Sequence, residues 1–124
     1  MNPPYSSQWR AHWPFDVTLS QEQYVRRLLG NYQTTPTVAG HVRRADRQIA
    51  AKLYHRGVPL TLVEAAFSLA AVRRIFRDPK EPPLHPIRSL HYFLPVLDEL
   101  LLDPPDPDYV RYLDWKLADL AELP

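Results

Sequence analysis

Apolar side chains recur every three or four residues in five stretches of the chain, which is the spacing of α-helices that each bury one face. The first stretch follows Ser20, which forms a capping-box pattern with Gln23 and so marks the start of a helix. The apolar face of this helix is Tyr24, Val25, Leu28, Leu29 and Tyr32. No stretch alternates apolar and polar residues as a half-buried strand would. The pattern therefore predicts an all-α fold, a compact bundle of about five helices.

The next two helices are predicted on either side of a short turn. The first of them covers about residues 43–56, and Gly57 follows it in the position that commonly ends a helix. The second covers about residues 61–77, with Thr61 and Glu64 as its capping box and a proline beyond its end. We expect these two helices to pack antiparallel across the turn.

Two further helices complete the predicted bundle. One runs from residue 87 to about residue 101, and Pro95 should kink or split it because the proline ring clashes with the carbonyl one turn earlier. The last helix begins after the sequence DPPDPD, with Asp106 as its N-cap and Pro107 as its first residue. Its apolar stripe is Val110, Leu113, Leu117 and Leu120.

The stretch LYHRGVPLTLVEAAFSLAAVRR, residues 53–74, looks like a helix-turn-helix motif. A helix that reads DNA needs a polar, usually basic, face near its N-terminus. The second helix of this stretch is apolar nearly all round, and its first outward side chain is Glu64, which has the wrong sign to face phosphate. We therefore predict that it is the central core helix, with the helices before and after it packed against it.

The chain divides into an irregular N-terminal arm over residues 1–17 and a single helical domain over residues 18–124. The arm interleaves aromatic and cationic side chains among prolines. Exposed, these side chains would stack on unpaired bases or bind another protein. Alternatively, the arm wraps the bundle and seals its core. The candidate partner-binding residues are Trp9, Arg10, Trp13 and Phe15.

Composition narrows the class of protein. A chain of 124 residues is one domain by length, and fourteen prolines against three glycines suggest short helices joined by stiff connectors. The absence of cysteine excludes disulfides. The N-terminus lacks the regions of a signal peptide, and no apolar run approaches the length of a membrane helix. We therefore expect a soluble, cytoplasmic protein.

Charge is distributed unevenly along the chain. Residues 1–90 carry thirteen basic and six acidic side chains, a net charge of +7, whereas residues 91–124 carry two and eight, a net charge of −6. If the second and third helices pack antiparallel, arginines from both come together at the end away from the turn. The predicted nucleic-acid-binding residues are His41, Arg43, Arg44, Arg47, Arg73, Arg74, Arg77 and Lys80.

The sequence is compatible with two kinds of anionic partner for this cluster. Cations at a helix C-terminus are favoured by the helix dipole, which accounts for Arg73, Arg74 and Arg77 without any partner. The arginines at the N-terminus of the second helix are disfavoured by the same dipole, and only Asp46 offsets them locally. They therefore indicate an anionic partner. It is either a nucleic-acid phosphate backbone or the acidic C-terminal part of this chain or of a neighbouring one.

The sequence shows no pattern typical of a catalytic or metal site. The five histidines lack metal-ligand spacing, and there is neither a glycine-rich phosphate loop nor a nucleophile elbow. Asp103, Asp106 and Asp108 lie among prolines, so helix capping and solvation explain them better than cation binding. We therefore predict that the protein is not an enzyme and carries no cofactor and no metal.

Two segments, IAAKLYHRGVPLTLVEAAFSLAAVRR and IRSLHYFLPVLDEL, are similar to a known pattern. In that pattern an apolar, alanine-rich helix follows a glycine turn, and a loop leads to Tyr, three residues, Ile-Leu, two residues and Trp. Here Tyr92 takes the tyrosine position, Val96 and Leu97 the Ile-Leu pair, and Leu100 the tryptophan position. Residues 45–101 thus resemble the DnaD-like domain of bacterial and phage replication-initiation proteins. The resemblance implies DNA binding, preferentially to single strands, and contact with replication partners such as a helicase loader.

Together these features predict a bacterial, non-enzymatic, nucleic-acid-binding accessory protein that acts in DNA replication or mobile-element maintenance. It would contact the phosphate backbone of DNA or RNA without reading the sequence. The alternative is a protein–protein adaptor or a small helical subunit of a larger assembly, such as a transposon or CRISPR effector complex. A protein partner or self-association is expected, and a membrane or a small-molecule substrate is not.

Overall fold

The computed structural model describes residues 19–121, and the arm predicted over residues 1–17 lies outside that range. The elements are α1 (Gln21–Thr34), α2 (Arg44–His55), α3 (Leu60–Ile75), a 3-10 turn (Leu90–Phe93), α4 (Leu94–Leu102) and α5 (Pro107–Ala121). The prediction of an all-α bundle of about five helices is confirmed. Within residues 19–121 the only β-type pairing is one isolated bridge between Val38 and Ile87. None of the helices in this range is both long and apolar enough to cross a membrane.

Local capping starts α1 where the sequence predicts. The Ser20 hydroxyl accepts a hydrogen bond from the Gln23 N–H at 3.2 Å, and the Gln23 side chain accepts one from the Ser20 N–H at 3.0 Å. The predicted apolar face is buried, except for the half-buried Val25. Within it the Tyr24 hydroxyl donates to the Val58 carbonyl at 2.8 Å, which joins α1 to the turn after α2. Burial raises the pKa of this hydroxyl.

The turn between α2 and α3 confirms one sequence prediction and corrects another. Gly57 follows α2 with a φ of 76°, a conformation that favours glycine, as predicted. However, α3 begins at Leu60 with Pro59 as its N-cap, so the capping box predicted at Thr61 is wrong. Leu60 is buried, and its packing draws the chain into the helix before Thr61. The helix ends at Ile75, two residues earlier than predicted.

The central helix of the bundle is α3. Nine of its sixteen residues are buried, and they lie around most of its circumference. Helices α1, α4 and α5 all pack against it. This burial confirms that the helix-turn-helix pattern belongs to the core, because a helix covered by three others cannot enter a DNA groove.

Pro95 splits the predicted fourth helix. The 3-10 turn ends at Phe93, and Pro95 lies in the first turn of α4, where its missing N–H has no partner to lose. Ile87 lies before both elements, where its N–H donates to the Thr37 carbonyl and its carbonyl accepts from the Ala39 N–H, both at 2.8 Å. The side chains at the predicted apolar positions still face the core. Ile87, Leu90, Leu97 and Leu101 are buried, and Leu94 is half-buried.

The start of α5 agrees with the prediction. The Asp106 carboxylate accepts a hydrogen bond from the Asp108 N–H at 2.8 Å, and Pro107 is the first helical residue. Leu113 of the predicted stripe is buried against the core. Asp114 accepts a hydrogen bond from the Ser68 hydroxyl at 2.7 Å, which fixes α5 along α3.

The predicted antiparallel packing of α2 along α3 is wrong. Helix α2 packs mainly on α1, and the 3-10 turn lies between its N-terminal half and α3. The Leu90 N–H donates to Asp46 of α2 at 2.9 Å, and the Phe93 ring centroid lies 4.8 Å from that of Phe67 in α3. The two helices therefore diverge from Gly57, because the turn fills the space between their other ends.

Candidate nucleic-acid interface

The N-terminus of α2 carries three exposed arginines, and the exposed imidazole of His41 lies just before them. We call His41, Arg43, Arg44 and Arg47 the basic surface. Within residues 19–121 no ion pair includes Arg43, Arg44 or Arg47. These arginines stand where the helix dipole is positive, so their placement is unfavourable by about 0.3–1 kcal/mol each. Three exposed guanidinium groups thus stand together with no carboxylate of residues 19–121 paired to them.

The acidic residue of this first turn points inward. The Asp46 side chain is only 1% exposed, and its two oxygens accept hydrogen bonds from the N–H groups of Arg43 and Leu90, both at 2.9 Å. Its charge stabilises the start of α2 and the end of the loop that leads into the 3-10 turn. The sequence suggested that Asp46 offsets the nearby arginines. In the structure its oxygens bond to backbone groups, and the guanidinium groups stay exposed.

A groove of about 690 Å³ lies beside the basic surface, between α1 and the segment that enters α2. Its lining combines apolar side chains with polar and charged ones. The apolar ones are Val25, Leu29 and Val42, and the polar and charged ones include Arg26, His41 and Arg47. Glu22 also lines it and pairs with Arg26 at 2.7 Å. We call this cavity the α1–α2 groove. It can hold a flat apolar group whose edges or substituents are anionic.

The other half of the predicted cluster is engaged within the protein. Arg73 makes two hydrogen bonds to the Glu99 carboxylate, at 2.8 and 2.9 Å. Arg74 donates to the His85 carbonyl at 2.6 Å and to the Tyr92 hydroxyl at 3.2 Å. The remaining guanidinium, that of Arg77, pairs with a glutamate in the loop after α3. These arginines tie α3 to α4 and to that loop.

The eight predicted residues fall into two groups by their contacts. Arg73, Arg74 and Arg77 bond to acceptors within the described residues, whereas the arginines of the basic surface make no ion pair there. Lys80 lies in the loop after α3 with an exposed side chain. Because the paired arginines already have acceptors, the basic surface is the part of the prediction that is available to an anionic partner.

The Arg73 pair gives a test of this assignment. Its hydrogen bonds hold the pKa of the Glu99 carboxyl below the usual range of a glutamate. We expect Arg73→Ala to raise the pKa of Glu99, measured by NMR titration of the side-chain carboxyl. Arg74→Ala removes the neighbouring guanidinium without touching this pair and should leave the titration unchanged. Because the folded pKa is depressed, the stabilisation from this pair is present at neutral pH and is lost as the pH falls through that pKa. Equal titration curves for wild type and Arg73→Ala would contradict the pairing.

Helix α5 carries an exposed row of aromatic rings that the sequence analysis missed. Tyr109, Tyr112 and Trp115 follow each other at three-residue spacing, with ring centroids 6.3 and 6.1 Å apart. Trp115 is 62% exposed. The Lys116 ammonium lies 4.4 Å from the ring centroid of the exposed Phe76, which extends the row onto the end of α3. A helical-wheel plot of DYVRYLDWKLAD would have shown Tyr112 and Trp115 turned away from Leu113.

Carboxylates flank two of these rings. Residues 108, 112, 115 and 119 are spaced four, three and four apart, so they share one face of α5. We call Asp108, Tyr112, Trp115 and Asp119, which are all exposed, the acidic–aromatic face. Asp108 also pairs with Arg111 on the same helix. Beside the face, a cleft of about 670 Å³ between α4 and α5 is lined by further acids, Glu99, Asp103 and Asp106, and by Tyr109.

Other sequence predictions stay open. The candidate partner-binding residues Trp9, Arg10, Trp13 and Phe15 lie outside the described residues. Within the part of the chain that the structure describes, no three His, Asp or Glu side chains come together as metal ligands would. Comparison with protein-family models, with curated proteins and with solved structures finds no match for this chain. The resemblance to the DnaD-like domain therefore stays a prediction.

Proposed function

We propose that this chain is a non-enzymatic nucleic-acid-binding accessory protein whose basic surface holds the phosphate backbone. One observation carries the proposal. Arg43, Arg44 and Arg47 stand exposed and without an ion-pair partner among residues 19–121, while Asp46 beside them is turned into the protein. Guanidinium groups are well suited to phosphate, since their planar N–H donors match its oxygens.

The contact we propose carries no sequence readout. Helix α3 is mostly buried under three other helices, which leaves it no free face to lie in a groove, and arginine contacts to phosphates position a protein without specifying the bases. Phosphates would also relieve the unfavourable placement of three cations at the positive end of α2. The resemblance noted in the sequence suggests single-stranded DNA as the preferred form and replication or mobile-element maintenance as the process.

The test is binding to labelled oligonucleotides, single-stranded and double-stranded, followed by fluorescence anisotropy. For the wild type we expect affinity to fall steeply between about 50 and 200 mM salt, because bound arginines displace condensed counterions. Arg44→Ala with Arg47→Ala should weaken binding on the order of tenfold at low salt. The same double change should make the plot of log binding constant against log salt concentration less steep by about 1.4 to 1.8. That difference corresponds to the loss of two phosphate contacts.

A charge-matched control separates a local site from general attraction. Lys52→Ala with Arg111→Ala removes the same charge from exposed positions outside the basic surface and should change affinity little. The proposal is lost if the wild type does not bind at low salt. It is also lost if the two double variants lose affinity equally, since binding would then follow net charge alone.

The second candidate function is a protein–protein adaptor. The observation that favours it is the exposed row of rings on α5, because aromatic side chains are enriched where proteins bind each other. This surface differs from the basic surface in charge, in location and in chemistry, so the two functions can be tested separately.

A further inference from the structure

We propose that the acidic–aromatic face of one copy binds the α1–α2 groove and basic surface of a second copy, so that the protein associates head to tail. The proposal does not rest on nucleic-acid binding, and it assigns a partner to the row of rings on α5. It combines three observations, which are the exposure of the rings, the shape of the groove and the opposite charges of the two surfaces.

The exposed rings supply the anchor. Trp115 is 62% exposed and Tyr112 is 46% exposed, although a large aromatic side chain releases more free energy on burial than almost any other. Tryptophan and tyrosine are the side chains that most often dominate an interface. A ring pair that stands out from a helix surface fits a pocket on a partner.

The α1–α2 groove has the matching chemistry. Its lining includes the apolar side chains of Val25, Leu29 and Val42, which an inserted ring requires, together with Arg47 and His41. Along α5 the rings stand between Asp108 and Asp119, which are about 16 Å apart at 1.5 Å per residue. A ring in the groove would bring these carboxylates towards the cations that line it and the exposed Arg44. Arginines also stack on aromatic faces.

The distribution of charge favours contact between two different surfaces, the acidic–aromatic face and the basic surface. Residues 1–90 have a net charge of +7 and residues 91–124 a net charge of −6, counted from the sequence. A symmetric contact of two basic surfaces would bring arginines together and is repelled. Helix α5 carries three aspartates against Arg111 and Lys116, a net charge of −1, so its contact with the basic surface is attractive. A contact between unlike surfaces leaves one of each free, so it builds rings or open chains rather than closed dimers.

The basic surface would then bind two ligands of similar chemistry, nucleic acid and the acidic–aromatic face of a second copy. Nucleic acid presents phosphates and base rings, and the acidic–aromatic face presents carboxylates and aromatic rings. The two should compete for one surface. A single-stranded oligonucleotide is thus expected to dissociate the assembly if the proposed function also holds.

The test is sedimentation equilibrium of the full chain, free of nucleic acid, at about 50 mM and at about 500 mM salt. We expect the average mass of the wild type to rise above that of the monomer with concentration at low salt and to return to the monomer at high salt. Two variants each remove one surface. Tyr112→Ala with Trp115→Ala removes the rings, and Arg44→Ala with Arg47→Ala removes two cations of the basic surface. Each variant alone should be monomeric.

Mixing the variants gives the decisive result. Each lacks a different surface, so an equimolar mixture should form a one-to-one dimer and nothing larger. All four positions are exposed, and unchanged thermal unfolding of the variants confirms that they are folded. A monomeric wild type at low salt overturns the proposal. So does self-association of the Arg44→Ala/Arg47→Ala variant, which would indicate a symmetric α5 contact, and so does a mixture that stays monomeric.

These outcomes are independent of the proposed function. If the proposed function fails and the self-association holds, the Arg44→Ala/Arg47→Ala variant is monomeric, but its affinity for oligonucleotides equals that of the wild type. If only the nucleic-acid contact is real, the Tyr112→Ala/Trp115→Ala variant binds oligonucleotides as wild type does, and no sample exceeds the monomer mass.

Discussion

Replacing Phe93 with alanine should lower the free energy of unfolding by about 3–5 kcal/mol, the range typical of a phenylalanine removed from a packed core. Phe93 is only 2% exposed and lies at the end of the 3-10 turn. Its ring centroid is 4.8 Å from that of Phe67 in α3 and 6.0 Å from that of Tyr32 in α1. The ring therefore joins the turn to two helices at once.

Urea denaturation followed by far-UV circular dichroism measures this loss. Phe93→Leu keeps much of the apolar volume and should cost about 1–2 kcal/mol, because the cavity left behind is smaller. Leu102→Ala is the exposed control. This leucine is 79% exposed on α4, so its removal should change stability by less than about 0.5 kcal/mol. Similar small losses for Phe93→Ala and Leu102→Ala would show that the turn is not part of the core.

Replacing Asp46 with alanine should cost about 2–4 kcal/mol, the second largest effect we expect. The change removes both acceptors of the Asp46 carboxylate. It leaves the N–H of Arg43 at the start of α2 and the N–H of Leu90 at the start of the 3-10 turn without their partner. A backbone donor left unpaired in the interior costs its full desolvation free energy, and the bond to Leu90 is buried.

Two variants separate the hydrogen bonds of Asp46 from its charge. Asp46→Asn keeps one oxygen but places an amide NH₂ against the second donor, so we expect it to cost about 1–2 kcal/mol. Asp98→Ala removes the same charge from an exposed position on α4 and should change stability by less than about 0.5 kcal/mol. If Asp46→Ala lowered the free energy of unfolding in urea by no more than Asp98→Ala does, the hydrogen bonds of Asp46 would contribute nothing to stability.

Asp46 also links the core to the candidate interface. It fixes the first turn of α2 against the 3-10 turn, and that first turn carries Arg44 and Arg47. The arginines thus stand on a rigid helix end rather than on a loop. Such a placement keeps their charges close together, which raises the local attraction for an anionic partner.

The ends of several helices could be read from the sequence because their signals are local. Ser20 with Gln23, Gly57 and Asp106 with Pro107 each act through contacts within about four residues. The failed capping box at Thr61 shows the limit of such signals. Thr61 has the right residue type and spacing, but with Leu60 buried and the φ of Pro59 fixed, the N-cap lies two residues earlier, at Pro59.

The candidate interface could be predicted only in part. The sequence identified the arginines of α2 and of α3 as unusual, but it could not tell which of them have partners. Arg73 pairs with a glutamate 26 residues away. Asp46 accepts a hydrogen bond from Leu90, the first residue of the 3-10 turn, which is 44 residues away. The rings of α5 were missed for a related reason, since a leucine stripe marks the buried face and says nothing about exposed tyrosines.

By itself the sequence determined the helices, the buried character of α3 and the separation of positive from negative charge. These properties follow from periodicity, side-chain type and contacts between near neighbours in the chain. Only the tertiary structure decided which arginines have ion-pair partners within residues 19–121 and that aromatic rings stand exposed between carboxylates. Ion pairs and surfaces depend on distances between residues far apart in the chain, and those distances are set by how the helices pack. The arginines of α3 are the clearest case, because their partners Glu99 and Tyr92 lie 26 and 18 residues further along the chain.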